Sequence, residues 1–236
     1  TEDSLLYLAN LVRGRNFDFA AGFDCDADRV EIMTEKGPVS GNQLLALIAD
    51  DILKNSKNKV VVVNNATSLM VRDIAKKHNA EYVETEVGEA NVVNEMYRLK
   101  APVGGEGSSS GVIIPDSRCR DGILTLLFLI KIIASKGKKI EELVRGLPQY
   151  CNIKTKVTID SKKSYSIIKK IHAHYNKKNY KTKKSKAGSL KVMLNSNSFV
   201  WFRASKTEAN LLRVIADAQK KEQAELIVKE ALNLIK

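Results

Sequence analysis

The chain has 236 residues, of which 44% are hydrophobic and 28% are charged. This balance is typical of a folded protein and excludes a disordered polyelectrolyte, and the length suits more than one domain. Lysine and arginine outnumber the acidic residues, giving a formal net charge of +12 at pH 7. The longest apolar stretch, 123–134, is interrupted by Lys131 and is shorter than the roughly 20 residues of a membrane span. We therefore expect no membrane anchor.

The first residues and the cysteines favour the cytoplasm. The chain opens with the acidic TEDSLLYLAN, whereas a secretory leader opens with basic residues. Cys25, Cys119 and Cys151 are odd in number, widely spaced and outside any CxxC pair, so they encode neither a disulfide framework nor a thiolate zinc site. We expect reduced thiols and a cytoplasmic protein.

Helix and strand patterns alternate from about residue 37 to residue 146. They predict helices over 43–53, 67–78 and 91–99 and strands over 59–64 and 81–84. A glycine-serine loop over 104–111 leads to a long helix that begins near Asp121. This order predicts parallel strands joined by crossover helices in one compact α/β unit.

The pattern changes at Leu147-Pro148 to that of a smaller α+β unit. Here we predict strands over 153–159, 190–194, 198–203 and 211–217 and helices over 164–175 and 219–235. A polar, lysine-rich loop is expected between the first of these helices and the strand at 190. The residues before 37, a short helix followed by FDFAAGFD, are too few for a domain and resemble the end of one.

Basic charge is concentrated in the window 151–191. It contains 13 lysines against one acid, Asp160, so its net charge of +12 equals that of the whole chain. Interleaved tyrosines make nucleic-acid binding an alternative. The window has no arginine, however, and specific phosphate and base recognition usually recruits arginine. We therefore expect a solvated face and do not expect nucleic acid as a partner.

Three aspartates follow a small apolar strand over 19–23. Asp24, Asp26 and Asp28 alternate along GFDCDADR and project to one side of an extended loop. Without a cation they would repel one another, so the pattern favours a hard divalent ion, and all-oxygen ligation points to Mg²⁺ rather than zinc or copper. The alternative is a solvated Asp-rich turn. A calcium EF-hand fits less well, because its sixth-position glycine and twelfth-position glutamate are absent.

Together with two further motifs, this loop resembles the α-D-phosphohexomutases, the phosphoglucomutase and phosphomannomutase superfamily. GFDCDADR resembles the family's metal loop. Gly105-Glu106-Gly107-Ser108, followed by Arg120-Asp121-Gly122, is similar to the sugar-recognition loop and the segment after it. Arg203-Ala204-Ser205-Lys206-Thr207-Glu208, with Arg213 further on, resembles the phosphate-binding loop of the last domain. The motifs occur in the family's order and span essentially the whole chain.

The resemblance implies a domain organisation and an activity. It implies the end of domain two in residues 1–36, a three-layer α/β/α domain three in 37–147 and a smaller α+β domain four in 148–236. The implied reaction is intramolecular phosphotransfer between C1 and C6 of a glucose or mannose phosphate, an isomerase reaction of carbohydrate metabolism. The implied cofactor is Mg²⁺, and the implied partners are hexose phosphate, hexose bisphosphate and the family's N-terminal domains.

The resemblance also implies roles for individual residues. Asp24, Asp26 and Asp28 would hold Mg²⁺, and Arg29 would pair with these carboxylates or with a phosphoserine. Glu106 and Ser108 would orient the sugar, because a carboxylate accepts hydroxyl hydrogen bonds and a serine both donates and accepts them. The residues implied for the non-reacting phosphate are Arg203, Ser205, Lys206, Thr207 and Arg213. The alternatives are a flexible linker at 104–111 and a surface strand turn with an Arg–Glu pair at 203–208.

One family element is missing from these residues. Members carry a catalytic serine in a T-x-S-H-x-P loop of their first domain, and no such string occurs between Thr1 and Lys236. We therefore expect this chain alone to be catalytically inactive. The alternatives are a non-catalytic sugar-phosphate-binding module or pseudoenzyme and, from the basic window 151–191, a nucleic-acid-binding protein. The preferred sugar, whether glucose, mannose or an amino sugar, is left open.

Overall fold

A computed structural model describes residues 2–107, 110–205, 208 and 210–235. The chain divides into two units, Thr1–Pro148 and Gln149–Lys236. Within the described ranges, no helix combines the length and apolar character that a membrane span requires.

Helices and strands alternate through most of the first unit. Its helices are α1 (Glu2–Val12), α2 (Gly41–Asn55), α3 (Leu69–Lys77), α4 (Glu89–Leu99), α5 (Gly122–Lys136) and α6 (Ile140–Arg145). Its strands are β1 (Ala20–Phe23), β2 (Val30–Thr34), β3 (Gly37–Val39), β4 (Val60–Asn64), β5 (Glu81–Thr85), β6 (Val103–Gly105), β7 (Val112–Ile113) and β8 (Arg120–Asp121). The five elements predicted over 43–99 and the long helix near Asp121 are confirmed.

The main sheet of this unit has the order β5-β4-β6-β7-β8. β4 pairs in parallel with β5 and β6, whereas β7 and β8 are added antiparallel. Every residue of β4 is buried, as expected for a strand covered on both faces. Val60 and Val62 pack with Val92 and Met96 of α4, whereas α2 contacts β6 and β7, and α5 contacts β7. The predicted parallel strands with crossover helices, within an α/β fold, are confirmed.

Two details of the first unit differ from the sequence-based expectation. Gly104 and Gly105, expected in a loop, belong to β6, where a side chain at Gly104 would clash with the Met96 sulfur and the Val62 carbonyl oxygen. A second sheet, β1-β2-β3, precedes α2, and α1 packs on it through Leu8 and Val12. Of this sheet only β1 was anticipated, because β3 is three residues long and contains Gly37 and Pro38.

The second unit is an antiparallel sheet with helices on one face. Its elements are β9 (Cys151–Thr158), a 3₁₀ turn (Ser161–Lys163), α7 (Ser164–Lys177), β10 (Lys181–Lys184), β11 (Leu190–Asn195), β12 (Ser198–Ala204), β13 (Leu211–Ala218) and α8 (Lys221–Ile235). The strand order is β10-β11-β12-β13-β9. Val200, Phe202 and Val214 from the sheet share a core with Ile171 of α7 and Ile227 of α8. The predicted α+β fold of this part of the chain is confirmed.

The prediction of a lysine-rich loop after α7 is partly wrong. Lys181–Lys184 form β10, which pairs antiparallel with β11 at the edge of the sheet. The strand lacks the apolar alternation that identifies a half-buried strand, so its pattern resembles a loop. Lysines on an edge strand discourage pairing with other chains, which explains part of the basic window.

An ion-pair cluster ties together three helices of the first unit. Asp50 of α2 accepts hydrogen bonds from Lys77 Nζ of α3 and from His78 Nε2, both at 2.7 Å, and lies 3.8 Å from Lys136 Nζ of α5. Burial by itself raises the pKa of Asp50, but the hydrogen bonds from Lys77 and His78 lower it below its ordinary value. Ionised Asp50 therefore contributes to stability.

We predict that Asp50→Asn lowers the free energy of unfolding at neutral pH by about 1–2 kcal/mol. Because the pKa of Asp50 is lower in the folded state, its contribution is present above the unfolded-state pKa of about 3.9 and is lost as the pH falls through the folded-state value. Urea unfolding followed by circular dichroism, at neutral and acidic pH, measures the difference. Asp116→Asn, at an exposed position, is the control, and a deficit of equal size at both pH values would contradict the prediction.

Candidate functional site

The three aspartates predicted to hold a metal lie together in a turn between β1 and β2. One carboxylate oxygen from each of Asp24, Asp26 and Asp28 lies within 4.8 Å of the others. The turn is closed by a hydrogen bond from Ala27 N to Asp24 O of 3.1 Å, and Ala27 adopts a left-handed conformation with φ 55°. Three carboxylates at these separations are the donor set that a hard divalent cation prefers, so the cluster fits Mg²⁺.

Arg29 partly neutralises this cluster. Its Nε donates to Asp24 Oδ2 at 2.5 Å and to Asp28 Oδ1 at 3.2 Å, and its backbone N–H donates to Asp24 Oδ1 at 3.2 Å. Desolvation acts to raise the pKa of Asp24, but the backbone N–H and guanidinium of Arg29 together outweigh it and hold that pKa below its ordinary value. Asp24 is therefore a carboxylate at neutral pH, while Asp26 is exposed to solvent.

Arg120 connects the aspartate loop to the main sheet. It lies on β8, directly before Asp121, whose side chain caps α5 by accepting from Leu124 N at 2.8 Å. Its guanidinium binds Asp28 Oδ2, with Nε at 3.0 Å and a closer contact through Nη2. The same guanidinium lies 2.9 Å from Glu89 Oε2 and 3.5 Å from Glu106 Oε2. One cation thus contacts carboxylates from three separate segments.

Glu106, predicted to bind the sugar, is buried at the end of β6 with 6% of its surface exposed. Its Oε1 accepts from Asn64 Nδ2 at 2.7 Å and from Gly88 N at 2.8 Å. Asn64, Gly88 and Glu106 each lie at or just beyond the carboxyl end of a parallel strand, where open α/β sheets bind ligands. Oε2 is the oxygen directed toward Arg120.

Glycines allow the sugar loop and the aspartate loop to approach each other. A Cβ at Gly111 would overlap the backbone oxygen of Asp28, and one at Gly122 would lie 2.7 Å from the backbone oxygen of Ala27. Gly122 N also donates to Ala27 O at 3.0 Å. Any larger residue at these two positions would displace the aspartate loop from Arg120.

The serines of the sugar loop are only partly described. Ser108, predicted to contact the sugar, and its neighbour Ser109 lie outside the described residues. Ser110 is buried, and its hydroxyl donates to Glu31 Oε1 at 3.1 Å while its carbonyl accepts from Val30 N at 3.0 Å. Ser110 therefore fixes the end of the loop against β2.

Charges around the aspartate loop leave an excess of negative charge. The three aspartates of the cluster and the two glutamates that contact Arg120 carry five negative charges. Two positive charges, on the guanidiniums of Arg29 and Arg120, lie among them. Fixed negative charge of this kind, at the edge of a low-dielectric sheet, attracts a divalent cation and disfavours a bare anion.

A separate basic cluster lies at the end of β12 and β13 in the second unit. Arg203 and Arg213 are directly opposite each other in the antiparallel pair. Arg203 Nε is buried and has no hydrogen-bond partner among the described residues. Ser205 N donates to Leu211 O at 2.7 Å, and the Ser205 hydroxyl accepts from Glu208 N at 3.1 Å. Lys206 and Thr207, also predicted to bind phosphate, lie outside the described residues.

Glu208 already occupies part of this cluster. Its carboxylate accepts from Lys156 Nζ and from Arg213 Nη2, both at 2.7 Å. These two hydrogen bonds lower the pKa of Glu208 below its ordinary value, so it is ionised. The arrangement contains the Arg–Glu pair of the alternative interpretation, and it also shows that Lys156 and Arg213 can hold one anionic group between them.

Four residues of these clusters were not assigned a role from sequence. Arg120 lies in the motif Arg120-Asp121-Gly122. The sequence signal for its role was the position of an arginine between an acidic loop and the start of a helix. Glu89 contacts Arg120, 31 positions away, Asn64 contacts Glu106, 42 positions away, and Lys156 contacts Glu208, 52 positions away, so no local spacing connects these three residues to the motifs.

Comparison with known proteins shows which family this chain is similar to. The model of phosphoglucomutase/phosphomannomutase, alpha/beta/alpha domain III, matches residues 40–150. The chain is 31% identical to a phosphoglucomutase/phosphomannomutase of Thermococcus kodakarensis over 99% of this chain and 50% of the relative. It is 33% identical to a probable phosphoglucosamine mutase of Methanosarcina acetivorans over 98% of this chain and 52% of the relative. The chain thus spans about half the length of these relatives.

Solved structures share the fold. Parafusin, a phosphoglucomutase from Paramecium, aligns with a TM-score of 0.82 and 21% identity over 99% of this chain and 48% of that one. The N-acetylphosphoglucosamine mutase of Aspergillus fumigatus, solved with GlcNAc-6P and magnesium, aligns with a TM-score of 0.70 and 18% identity over 98% of this chain and 52% of that one. At these identities the likeness establishes the fold alone.

We predict that Arg120→Gln lowers the free energy of unfolding by about 2–3 kcal/mol, because it leaves the buried Glu106 and its neighbours Asp28 and Glu89 without their shared cation. Arg98→Gln is the matched control, since Arg98 is exposed and forms a single surface ion pair with Glu95. Urea unfolding of both variants checks the expectation. Equal losses in the two variants would show that the Arg120 junction has no special role.

Proposed function

Because this chain belongs to the phosphoglucomutase and phosphomannomutase superfamily, we propose that it supplies the metal, sugar and phosphate loops of a phosphohexomutase. Such an enzyme moves a phosphoryl group between C1 and C6 of a hexose phosphate. The observation that carries the proposal is the aspartate cluster joined through Arg120 to Glu106. This junction brings a metal-binding loop and a sugar-binding carboxylate to one edge of the sheet.

The proposal assigns each part of the chain to one function. Residues 1–36 are the end of a second domain and carry the metal loop, residues 37–147 are a third domain with the sugar loop, and residues 148–236 are a fourth domain with the phosphate loop. The remaining half of the enzyme, with the phosphorylated serine, is its proposed partner. This division agrees with relatives of about twice the length of this chain.

Asp24, Asp26 and Asp28 are the proposed Mg²⁺ ligands. When bound, Mg²⁺ neutralises charge that develops on the transferred phosphoryl group. Arg29 and Arg120 orient Asp24 and Asp28 before the cation arrives, which lowers the reorganisation that binding requires. The neighbouring fungal structure solved with magnesium supports this choice of cation.

Glu106 and Ser108 are the proposed sugar ligands. Oε1 of Glu106 is held by Asn64 and Gly88, so a hydroxyl is recognised chiefly through Oε2, the oxygen on the Arg120 side. The donors on Oε1 fix the carboxylate plane, and this gives direction to the hydrogen bond with the sugar. The relatives named phosphoglucomutase/phosphomannomutase and probable phosphoglucosamine mutase support a hexose phosphate as the substrate class.

Arg203, Ser205, Lys206, Thr207 and Arg213 are the proposed ligands of the phosphate that does not react. Arg203 offers a buried Nε without a partner among the described residues, and Arg213 lies opposite it. Lys156 adds a third cation through Glu208. Before the ligand binds, Glu208 offsets one of these three positive charges, and an arriving phosphate replaces its carboxylate on Lys156 and Arg213.

We predict that Glu208→Gln increases the affinity of the chain for glucose 6-phosphate by about three- to tenfold, because the phosphate no longer competes with a carboxylate. NMR titration of the labelled chain measures this affinity, with Arg213→Gln as the variant that should weaken it and Glu230→Gln as the charge-matched control. Titrations with mannose 6-phosphate and glucosamine 6-phosphate test whether the chain distinguishes sugars, and glycerol 3-phosphate is the reference ester. Weaker binding by Glu208→Gln, or equal binding of all four esters, would contradict the proposed phosphate or sugar recognition.

A non-catalytic sugar-phosphate-binding module is the second candidate. The observation that favours it is the presence of both proposed binding loops within this chain. The two candidates predict different affinities in the same titration. A half-open cleft gives millimolar dissociation constants or weaker, whereas a self-sufficient module needs a complete enclosure and gives micromolar values, about 4 kcal/mol tighter.

We further predict no mutase turnover by the purified chain with glucose 1-phosphate, Mg²⁺ and glucose 1,6-bisphosphate in a coupled assay for glucose 6-phosphate. Turnover needs a nucleophile that is phosphorylated and regenerated, and no residue here matches the family's serine loop. Ser108→Ala is the informative variant. Turnover that this variant abolishes would show that a serine within the chain replaces the missing one, and the chain would then be catalytically complete.

A further inference from the structure

A mostly apolar cavity of about 210 Å³ lies in the first unit, between α4 and the loop 114–119 that joins β7 to β8. One side of α4, the end of β7 and this loop form its walls. The lining residues that matter here are Val93, Met96, Tyr97, Lys100, Ile113 and Arg118. None of the described residues assigned to the metal or sugar loop lines the cavity. The cavity is therefore not part of the candidate site.

The cavity and Glu106 lie at opposite ends of the same two strands. Ala101 and Ile114, which line the cavity, lie before β6 and after β7. Glu106 and Gly111 lie after β6 and before β7. Because β6 and β7 are antiparallel, the first pair of residues shares one end of the strands and the second pair shares the other. A ligand in the cavity therefore lies at the end of the strands away from Glu106.

The floor of the cavity is part of the hydrophobic core. Met96 and Ile113 are buried and share one core cluster with Val60 and Val62, and the partly buried Val93 packs against this cluster. An apolar group in the cavity would contact these side chains, and its removal from water favours binding. The floor therefore selects a ligand with an apolar body.

Hydrogen bonds hold the loop wall of the cavity in place. Tyr97 Oη donates to Pro115 O at 2.8 Å, and Ser117 N and Oγ both donate to Ile114 O at 3.0 Å. Arg118 adopts a left-handed conformation with φ 52°, which few residues other than glycine adopt. Its guanidinium lies over the Tyr97 ring, 5.5 Å from the ring centre. The loop thus fixes a cation beside the cavity.

Lys100 and Arg118 bring two positive charges to the cavity. In the described part of the chain, no carboxylate forms a salt bridge with either of them. Glu89 and Glu95 of α4 are paired with arginines that do not line the cavity. Asp116, in the same loop as Arg118, is exposed to solvent. The two cations therefore complement an anionic group on a ligand.

Backbone groups at the end of α4 are already used. Lys100 N donates to Tyr97 O at 3.2 Å, and Ala101 N donates to Met96 O at 2.9 Å. Asn58 Nδ2 donates to the carbonyl oxygens of residues 99 and 100, at 2.9 and 2.6 Å. Side chains alone therefore supply donors to a ligand here. Two cationic side chains match the two oxygens of a carboxylate, whereas a phosphate has three oxygens to satisfy.

We propose that this cavity binds a small aromatic carboxylate, with the ring on Met96 and Ile113 and the carboxylate at Lys100 and Arg118. The proposal does not depend on the function proposed above. An apolar cavity of about 150 Å³ holds benzene, and pockets for larger ligands measure about 300–1,000 Å³. A cavity of about 210 Å³ therefore has room for one ring with a short acidic chain.

The test is NMR titration of the isotope-labelled full chain with phenylacetate and with phenylacetamide, a neutral compound of nearly the same shape. We expect phenylacetate to bind about fivefold more tightly than the amide. Lys100→Gln combined with Arg118→Gln should weaken phenylacetate binding about fivefold and leave amide binding within about twofold. The matched control combines Arg98→Gln with Lys138→Gln, which removes the same charge outside the cavity and should change neither affinity by more than about twofold.

A third variant tests the position of the ring. Val93→Phe adds a ring at the cavity wall and should abolish binding of both compounds, and urea unfolding checks that this variant is folded. Chemical-shift changes on binding should be largest at Met96 and Ile113. Binding that a folded Val93→Phe retains, or shift changes centred on Glu106, would place the ligand elsewhere and overturn the proposal.

Three further outcomes would also overturn it. Equal weakening of phenylacetate binding by the two double variants would show a diffuse electrostatic effect. A lack of phenylacetate binding at about 10 mM would show that there is no site. Tighter binding of phenyl phosphate than of phenylacetate, tested in the same titration, would show that the cations do not select a carboxylate.

Discussion

Arg120 contacts the carboxylates of Asp28, Glu89 and Glu106, and the candidate site of the first unit depends on this junction. Two of the carboxylates belong to different loops of the first unit and the third to the first turn of α4. A guanidinium has enough donors for several acceptors in one plane, which a lysine ammonium does not provide. One positive charge cannot balance three negative ones, so the junction fixes the geometry of the acids and leaves a field that favours a further cation.

The second requirement of this arrangement is close approach of backbone segments at positions where glycine has no side chain. The aspartate loop reaches Arg120 only because Gly111 and Gly122 leave room for the backbone of Asp28 and Ala27. In the same loop region, a side chain at Gly107 would overlap the Asn42 amide, and Gly107 N donates to Thr67 Oγ1 at 3.0 Å. The described glycines of the sugar loop therefore serve close packing. This explains why a composition typical of a flexible linker belongs to an ordered part of the fold.

Much of the fold could be predicted because apolar residues recur along its helices and strands with the period of each element. The buried strand VVVVN and the amphipathic α3 are examples, and both were located to within two residues. β10 was missed, because its lysines protect an edge and bury little apolar surface. For the candidate site, motifs predicted the aspartates, Glu106 and the phosphate-loop residues, whose roles remain proposals. The partners Glu89 and Lys156 could not be predicted, because strand register and helix placement, which no single segment encodes, bring them into contact.

In both clusters, several like charges are paired with one internal counter-ion, and the signs are opposite in the two clusters. In the first unit Arg29 forms ion pairs with the aspartates, and in the second Glu208 forms ion pairs with Lys156 and Arg213. Each internal counter-ion prevents the repulsion that like charges would cause in the absence of a ligand. Each is also partly solvent-accessible, and exposed ion pairs are weak, so a multivalent ligand can replace the counter-ion at small cost. At the proposed metal and phosphate loops, a divalent cation or a phosphate would then take over the contacts that the counter-ion holds.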